Sequence, residues 1–443
     1  MRTNLHPRGA LFILTFALLT GACNPFAIKL VNNETGGWLD WDEKSGWTGD
    51  AGPVAELGGM KYEAEILVEV PPSMLMPTDG LMDDMGRTEP GIASGEIYQN
   101  PALRAGSVDD NAEWDDYLLY RLRFAEWCIS VHDIDVSERH IIRVTNEQGQ
   151  PVLGAKVTIS NDAGHKLAML QTYADGRAMF FPLASMNPEA QSYQVQVEKG
   201  SAEATFPIDR NHREHPVTLE VRSASSPVRL DVHFLIDATG SMSDEIQQLK
   251  ENMIAISERI HALPSNPDVR FGMTIYRDRG DLFISRTFDF TPDIELFTSE
   301  LAKVAAEGGG DYPESLNEGL HNAIHLPEWR VEETVSLIFL VADAPPQLIY
   351  DNDYDYAEEV FEAVERGIKI FPLASSGLDD QGEYIFRQLA QISSGKFLFL
   401  TYGAGGAPGD ETSHHVDDYS VLSLDELVVR LVEEELTNLI PQQ

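Results

Sequence analysis

Four short runs of apolar residues in the second half of the chain constrain its fold more than any other feature. A strand that is apolar on both sides has to be buried on both faces, and parallel strands need helices as crossover connections. Segments with the apolar spacing of amphipathic helices separate these runs, and another spans 422–440. We therefore predict an α/β domain over 228–440, with a doubly wound, mostly parallel sheet and a closing C-terminal helix. The apolar runs are 232–236, 337–341, 368–373 and 397–400.

A polar motif follows the first of these runs. Asp237 directly follows the run, and Thr239 and Ser241 come two and four residues later. In such a sheet, ligands bind beyond the carboxyl ends of the strands. A carboxylate and two hydroxyls at this spacing can reach one hard cation from a single turn, and Gly240 lets the backbone bend tightly. The same hydroxyls could instead cap the helix that follows, so the motif alone leaves both interpretations open.

Two later segments place further carboxylates at the same edge of the predicted sheet. Asp311 ends a glycine-rich run, 308–311, before a predicted helix, and Asp343 closely follows the buried run 337–341. Together with the motif that begins at Asp237, these segments resemble the metal-ion-dependent adhesion site of the von Willebrand factor type A family. The resemblance covers about 228–402, and segments 276–281 and 383–390 are similar to a bacterial branch of that family.

The resemblance implies a role for each of these positions. The implied metal ligands are Asp237, Thr239, Ser241, Asp311 and Asp343. Asp311 stands where the family usually has threonine, and its negative charge should favour Ca²⁺ over Mg²⁺ and weaken attraction for a partner's carboxylate. The expected cofactor is therefore Mg²⁺ or Ca²⁺. From the same loop, Tyr312 and Glu314 are predicted to contact a protein partner.

The segment 138–222 has a different pattern, in which apolar and polar residues alternate as in half-buried strands. Turn signals separate these stretches, so we predict a small antiparallel β-sandwich. The run 147–157, followed by Asp175-Gly176-Arg177, resembles Ig-like domains related to the carboxypeptidase regulatory module, which implies a spacer. The preceding segment, 23–137, is predicted to be an irregular tether with one helix over 114–127.

The N-terminus is typical of an export signal, with two arginines before an apolar stretch too short for a permanent membrane span. Residues 19–23 resemble a bacterial lipobox, which implies cleavage of the signal 1–22 and a lipid anchor on Cys23; an ordinary secretory signal is the alternative. Cys128 would then have no partner within the chain. The predicted location is the bacterial cell envelope, with the outer membrane or cell surface preferred.

The formal charge of −40 argues against nucleic acid as a partner, because an acidic surface repels the phosphate backbone. The resemblance implies a non-catalytic protein that binds a protein partner through its metal. Two alternatives stay open: a metal-dependent hydrolase that uses the same carboxylates, and a scaffold that binds no metal.

Three other patterns imitate metal sites. His321 and His325 have the spacing of two zinc ligands on one helical face, but Asn322 stands where zinc proteases have their catalytic glutamate, so structural histidines are favoured. The acidic segment 351–362 imitates a calcium-binding loop without its glycine. The pair His414 and His415, with the acidic 417–418, is either a pH-sensitive or metal-binding patch or a polar loop.

Overall fold

The computed structural model describes residues 30–31, 38–42, 46–48, 103–184, 192–222, 227–244, 246–310, 312–401, 414–416 and 419–439. The predicted signal segment, Cys23 and Asp311 lie outside these residues. The chain divides into two compact units, 1–99 and 100–443. In the first unit, β1 (Leu30–Val31), β2 (Trp38–Asp42) and β3 (Gly46–Thr48) form a three-stranded antiparallel sheet.

The second unit contains seven helices and fifteen strands among its described residues. The helices are α1 (Trp114–Glu126), α2 (Ile246–His261), α3 (Ile294–Leu301), α4 (Leu316–His325), α5 (Tyr356–Glu365), α6 (Asp380–Ile392) and α7 (Leu424–Asn438). The strands are β4 (Arg104–Val108), β5 (His140–Asn146), β6 (Lys156–Asn161), β7 (Lys166–Gln171), β8 (Arg177–Phe180), β9 (Tyr193–Lys199), β10 (Ala202–Pro207), β11 (Glu214–Leu219), β12 (Arg229–Asp237), β13 (Asp268–Tyr276), β14 (Ser285–Thr291), β15 (Thr334–Ala342), β16 (Ile368–Ala374), β17 (Phe397–Leu400) and β18 (Leu422–Ser423).

An eight-stranded sheet dominates this unit, in the order β14-β13-β12-β15-β16-β17-β4-β18. The five strands from β13 to β17 in that order are parallel, and β14, β4 and β18 are antiparallel to their neighbours. The four apolar runs lie in β12, β15, β16 and β17, where every residue of β15, β16 and β17 is buried. The predicted α/β fold with a mostly parallel sheet is confirmed.

Helices cover both faces of this sheet, because its strands send apolar side chains alternately to two cores. One core contains Val232 and Phe234 of β12 with the apolar sides of α2, α3 and α7. The other contains Leu235 of the same strand with those of α1, α4, α5 and α6. This arrangement leaves the carboxyl ends of the parallel strands, and the loops that follow them, as the accessible edge.

The chain reaches this sheet earlier than the sequence predicts. β4 pairs with both β17 and β18, and Tyr117, Tyr120 and Phe124 of α1 are buried in the second core. Segment 103–137 is therefore part of the folded unit, whereas the sequence analysis assigns it to a tether. The helix predicted over 114–127 is present as α1.

Strands β5 to β11 form two small sheets, in the orders β10-β9-β6-β7 and β11-β5-β8. The prediction of a purely antiparallel arrangement is wrong in one pair, since β11 runs parallel to β5. The apolar residues of both sheets belong to the core that also contains α4, α5 and α6. The side chain of Gln171 donates a hydrogen bond to the carbonyl of Glu365 at 3.0 Å, so these sheets pack against the α/β part.

Within the described residues, none of the helices combines the length and the apolar character that a membrane span requires.

Candidate metal centre

The end of β12 forms the floor of the candidate site. Asp237 is the last residue of the strand and is fully buried, as is Thr239. Oδ1 of Asp237 accepts hydrogen bonds from the backbone N–H of Thr239 at 2.9 Å and from its hydroxyl at 2.7 Å. Tyr276, which faces Asp237 across the ladder to β13, donates its hydroxyl to Oδ2 at 3.2 Å. The carboxylate is therefore fixed from two strands.

Ser241 and Asp343 continue this line of oxygen atoms toward the surface. Oγ of Ser241 lies 3.1 Å from Oγ1 of Thr239 and donates to Oδ1 of Asp343 at 3.1 Å. Asp343 directly follows β15 and is only 5% exposed, whereas Ser241 is exposed. Four oxygen-bearing side chains from two neighbouring strand ends thus converge, and the line opens to solvent at Ser241.

Electrostatics within this line favour a cation. Burial, with a smaller contribution from the charge of Asp343, raises the pKa of Asp237 to about 7. Two buried carboxylates so close together repel each other unless a proton or a cation lies between them. Carboxylate and hydroxyl oxygens are the ligands that hard divalent cations prefer. The residues present therefore fit Mg²⁺ or Ca²⁺.

The glycine loop packs directly on the metal motif. The N–H of Gly240 donates to the carbonyl of Gly308 at 2.9 Å. Gly309 has a φ of +66°, and a Cβ added there would lie 3.0 Å from Cβ of Thr239 and 2.8 Å from Oε1 of Glu314. Only glycine combines this backbone conformation with such a close approach. The described part of the loop, 308–310, therefore packs against the site that begins at Asp237.

Asp281 holds this loop in place, a role that the sequence analysis does not predict. Its Oδ2 accepts from the N–H of Gly309 at 2.8 Å and from the N–H of Asp278 at 3.1 Å. A Cβ on Gly308 would lie 2.4 Å from the same carboxylate. The signal was present in segment 276–281, but a charged turn next to a glycine is common and does not by itself identify a contact with a loop thirty residues away.

Asp278 joins two more of the surrounding loops. Its carboxylate accepts from the hydroxyl of Ser315 at 2.7 Å and from that of Tyr350 at 2.7 Å. Arg279 forms an ion pair with Asp353 at 3.0 Å and lies over the ring of Tyr350 at 4.4 Å. The loops after β13 and β15 are therefore fixed to each other and to the start of α4.

Residues 231–402 match the family model of the von Willebrand factor A domain. We call these residues, which are similar to a von Willebrand factor A domain, the A domain. The alpha-protein kinase vwkA of Dictyostelium discoideum is 27% identical to the chain over 194 residues, which are 43% of this chain and 30% of that protein. Von Willebrand factor A domain-containing protein 7 of Rattus norvegicus is 32% identical over 130 residues, which are 29% of this chain and 13% of that protein.

The chain thus spans less than a third of either of these relatives. Among solved structures, proximal thread matrix protein 1 from the mussel byssus is similar to the chain at 15% identity, with a TM-score of 0.33, over 49% of this chain and 47% of that one.

Four of the residues predicted as ligands of this A domain come together: Asp237, Thr239, Ser241 and Asp343. Asp311, the fifth, lies outside the described residues.

The two predicted partner contacts differ from each other. Tyr312 is 46% exposed, and its hydroxyl accepts from the N–H of Asp379 at 3.1 Å. Its ring therefore borders the carboxyl edge of the parallel strands, where the candidate metal site lies and which we call the metal edge. The prediction for Glu314 is corrected: it is only 3% exposed, because a bridge to Pro346 draws it inward beside Gly309. Glu314 belongs to the interior of the A domain and not to its surface.

One other pattern has a structural role. Asp355 caps α5 by accepting from the N–H of Ala357 at 2.9 Å, which agrees with an acidic helix start and not with a calcium loop. The expectation for Cys128 depends on Cys23, which lies outside the described residues, so it stays a prediction.

Proposed function

We propose that the A domain binds Mg²⁺ or Ca²⁺ and presents it to a protein partner. One observation carries the proposal: the unbroken line of side-chain oxygens from Asp237 through Thr239 and Ser241 to Asp343, with successive separations of 2.7, 3.1 and 3.1 Å. Asp311 would join this set from the glycine loop. The ion would bind along this line, and the exposed Ser241 within it marks the side that faces the partner.

The loops around this edge support protein binding over catalysis. Leu282 lies in the loop after β13 and is 80% exposed, and Ile349 lies in the loop after β15 and is 82% exposed. Tyr312, from the loop before α4, is also exposed. Exposed apolar residues beside polar groups are typical of protein interaction surfaces. A protein partner would bury them when it contacts the ion.

Metal binding is tested by titration calorimetry of the full chain with Mg²⁺ and with Ca²⁺. Asp237→Asn removes the buried charge and keeps the shape of the side chain, so we expect binding to be lost. Glu258→Gln makes the same change on an exposed position of α2 and should leave binding unchanged. Equal affinities for Asp237→Asn and the unaltered chain would overturn the proposal.

Partner binding is tested on the apolar residues separately from the ion. A double variant, Leu282→Ser with Ile349→Ser, should keep its affinity for metal and lose the partner that the unaltered chain captures in the presence of metal. If the chain still captures the partner in the presence of chelator, or if the double variant captures it, this surface is not the partner's binding site.

The proposed location is the bacterial envelope, with the signal 1–22 removed and a lipid on Cys23. Support for it comes from the sequence of the first 23 residues.

A further inference from the structure

Two histidines and a carboxylate meet on the outer side of the A domain, between α4 and α5. Nδ1 of His321 lies 2.8 Å from Oε1 of Glu359, and Nε2 of His325 lies 3.0 Å from Oε2 of the same carboxylate. One ligand atom from each of the three residues lies within 4.8 Å of the others. These residues contribute nothing to the line of oxygens that begins at Asp237.

We propose that His321, His325 and Glu359 form a second metal site, which takes one ion of the Zn²⁺ class. Two imidazole nitrogens and a carboxylate oxygen suit Zn²⁺, Co²⁺ or Ni²⁺, whereas the all-oxygen line at β12 suits hard cations. The four-residue spacing places both rings on one face of α4. The fourth coordination position would be taken by water.

The geometry is close to what a tetrahedral ion requires. Zinc bonds of about 2.0 Å place neighbouring ligand atoms about 3.3 Å apart. The separations of 2.8 Å to Oε1 and 3.0 Å to Oε2 are a few tenths of an ångström shorter and involve both carboxylate oxygens, so Glu359 has to shift when one of these oxygens binds the ion. Both histidine side chains are 22% exposed, so an ion can enter from solvent, while Glu359 forms the buried wall at 9%.

The ligands are held in position by their neighbours. The ring of His321 stacks on Tyr354 at a centroid distance of 3.6 Å and on His325 at 4.3 Å. Glu359 is fixed on a different helix, so α4 and α5 supply ligands from opposite sides. Ligands fixed before binding lose little conformational entropy when the ion enters.

Arg366 opposes metal binding at this site. Its guanidinium lies 2.9 Å from Nδ1 of His325. A guanidinium can only donate, so Nδ1 has to accept, and in a neutral ring the hydrogen is then on Nε2. A metal on Nε2 needs the other tautomer. Arg366 is exposed and can turn away, so the ion has to displace it. Removing this guanidinium should therefore strengthen binding.

The test uses Co²⁺ as a spectroscopic probe, because its visible absorption reports nitrogen ligation and tetrahedral geometry. The full chain carries Asp237→Asn, and Mg²⁺ is present in excess, so hard-cation binding at β12 does not contribute. We expect one equivalent of Co²⁺ to give the tetrahedral spectrum and to be displaced by Zn²⁺. His325→Ala and, separately, Glu359→Gln should each weaken binding by more than about 10- to 100-fold, which is the loss when only a partner that orients a ligand is removed.

Arg366→Met tests whether the guanidinium of Arg366 competes with the metal ion, and we expect its affinity for Co²⁺ to rise several-fold. Thermal melting of every variant without metal controls for folding. If His325→Ala fails to fold, the site is still tested by Glu359→Gln, whose side chain keeps one oxygen as a hydrogen-bond acceptor. A Co²⁺ spectrum unchanged in both ligand variants, or absent from the parent, would overturn the site. Unchanged affinity in Arg366→Met would overturn the competing role of Arg366.

Discussion

At the scale of single residues, the candidate metal site depends on a position, Gly309, where close contacts leave no room for a side chain. Gly309 approaches Thr239 and Glu314 so closely that a methyl group would contact both at 3.0 Å or less. Asp281 then fixes the backbone at this point by accepting from its N–H. The position of the glycine loop is therefore determined by steric contact and by one carboxylate together.

Gly309→Ala should weaken both metal binding and folding. The left-handed backbone alone costs about 1 kcal/mol for alanine, and the contact with Thr239 adds to that and displaces a ligand. Gly200→Ala is a matched control, since its φ of +61° is similar and nothing lies within 4 Å of its added Cβ. Chemical denaturation and metal calorimetry are the measurements. Equal losses of stability with equal metal affinities would contradict this interpretation.

At the scale of elements, a buried ion pair joins α6 to the segment between β4 and α1. Nε and Nη2 of Arg387 donate to the two carboxylate oxygens of Asp110 at 3.0 and 2.6 Å, and both side chains are buried. The guanidinium also lies over the ring of Tyr120 at 3.8 Å. This pair connects the N-terminal part of the unit to the A domain.

Asp110→Ala should lower the free energy of unfolding by about 3 kcal/mol, because it leaves the buried guanidinium with a single carboxylate partner, Glu383, at 3.3 Å. Asp116→Ala, on the exposed side of α1, removes the same charge and should cost only a few tenths of a kcal/mol. Urea denaturation of both variants gives the comparison. Similar losses of unfolding free energy in the two variants would show that the ion pair stabilises the fold no more than a surface charge does.

A second contact of α6 should depend on pH. Glu383 is buried and accepts from Nδ1 of His415 at 3.1 Å, and this hydrogen bond raises the pKa of His415. A raised histidine pKa stabilises the folded state fully below the ordinary value of about 6.5. This contribution is lost as pH rises through the raised value.

His415→Asn should therefore cost more stability at pH 6 than at pH 9. Because the histidine side chain is 42% exposed, we expect the difference to be a few tenths of a kcal/mol. Denaturation at both pH values measures it, and a loss that is the same at both would contradict the assignment.

The sequence predicts those elements whose apolar pattern is local. The runs in β12, β15, β16 and β17 can each be predicted as buried strands without knowledge of their neighbours, because each run is apolar on both sides. β4 has the sequence Arg-Ala-Gly-Ser-Val and carries no such pattern. It is a strand only because β17 and β18 offer it partners. The burial of Glu314 was equally unpredictable, since it depends on a bridge to Pro346.

At the scale of the whole molecule, the proposed lipid anchor on Cys23 is tested by intact mass spectrometry of the protein from membranes. Processing at this position would remove the mass of residues 1–22 and add that of the acyl chains. A mass without acyl chains would contradict the proposed anchor.

The two small sheets of β5 to β11 are inserted in the chain between β4 and β12, two strands of one larger sheet. Any pull on the chain before Arg104 would therefore act on β4 and its hydrogen bonds to β17 and β18 before it reaches the inserted sheets.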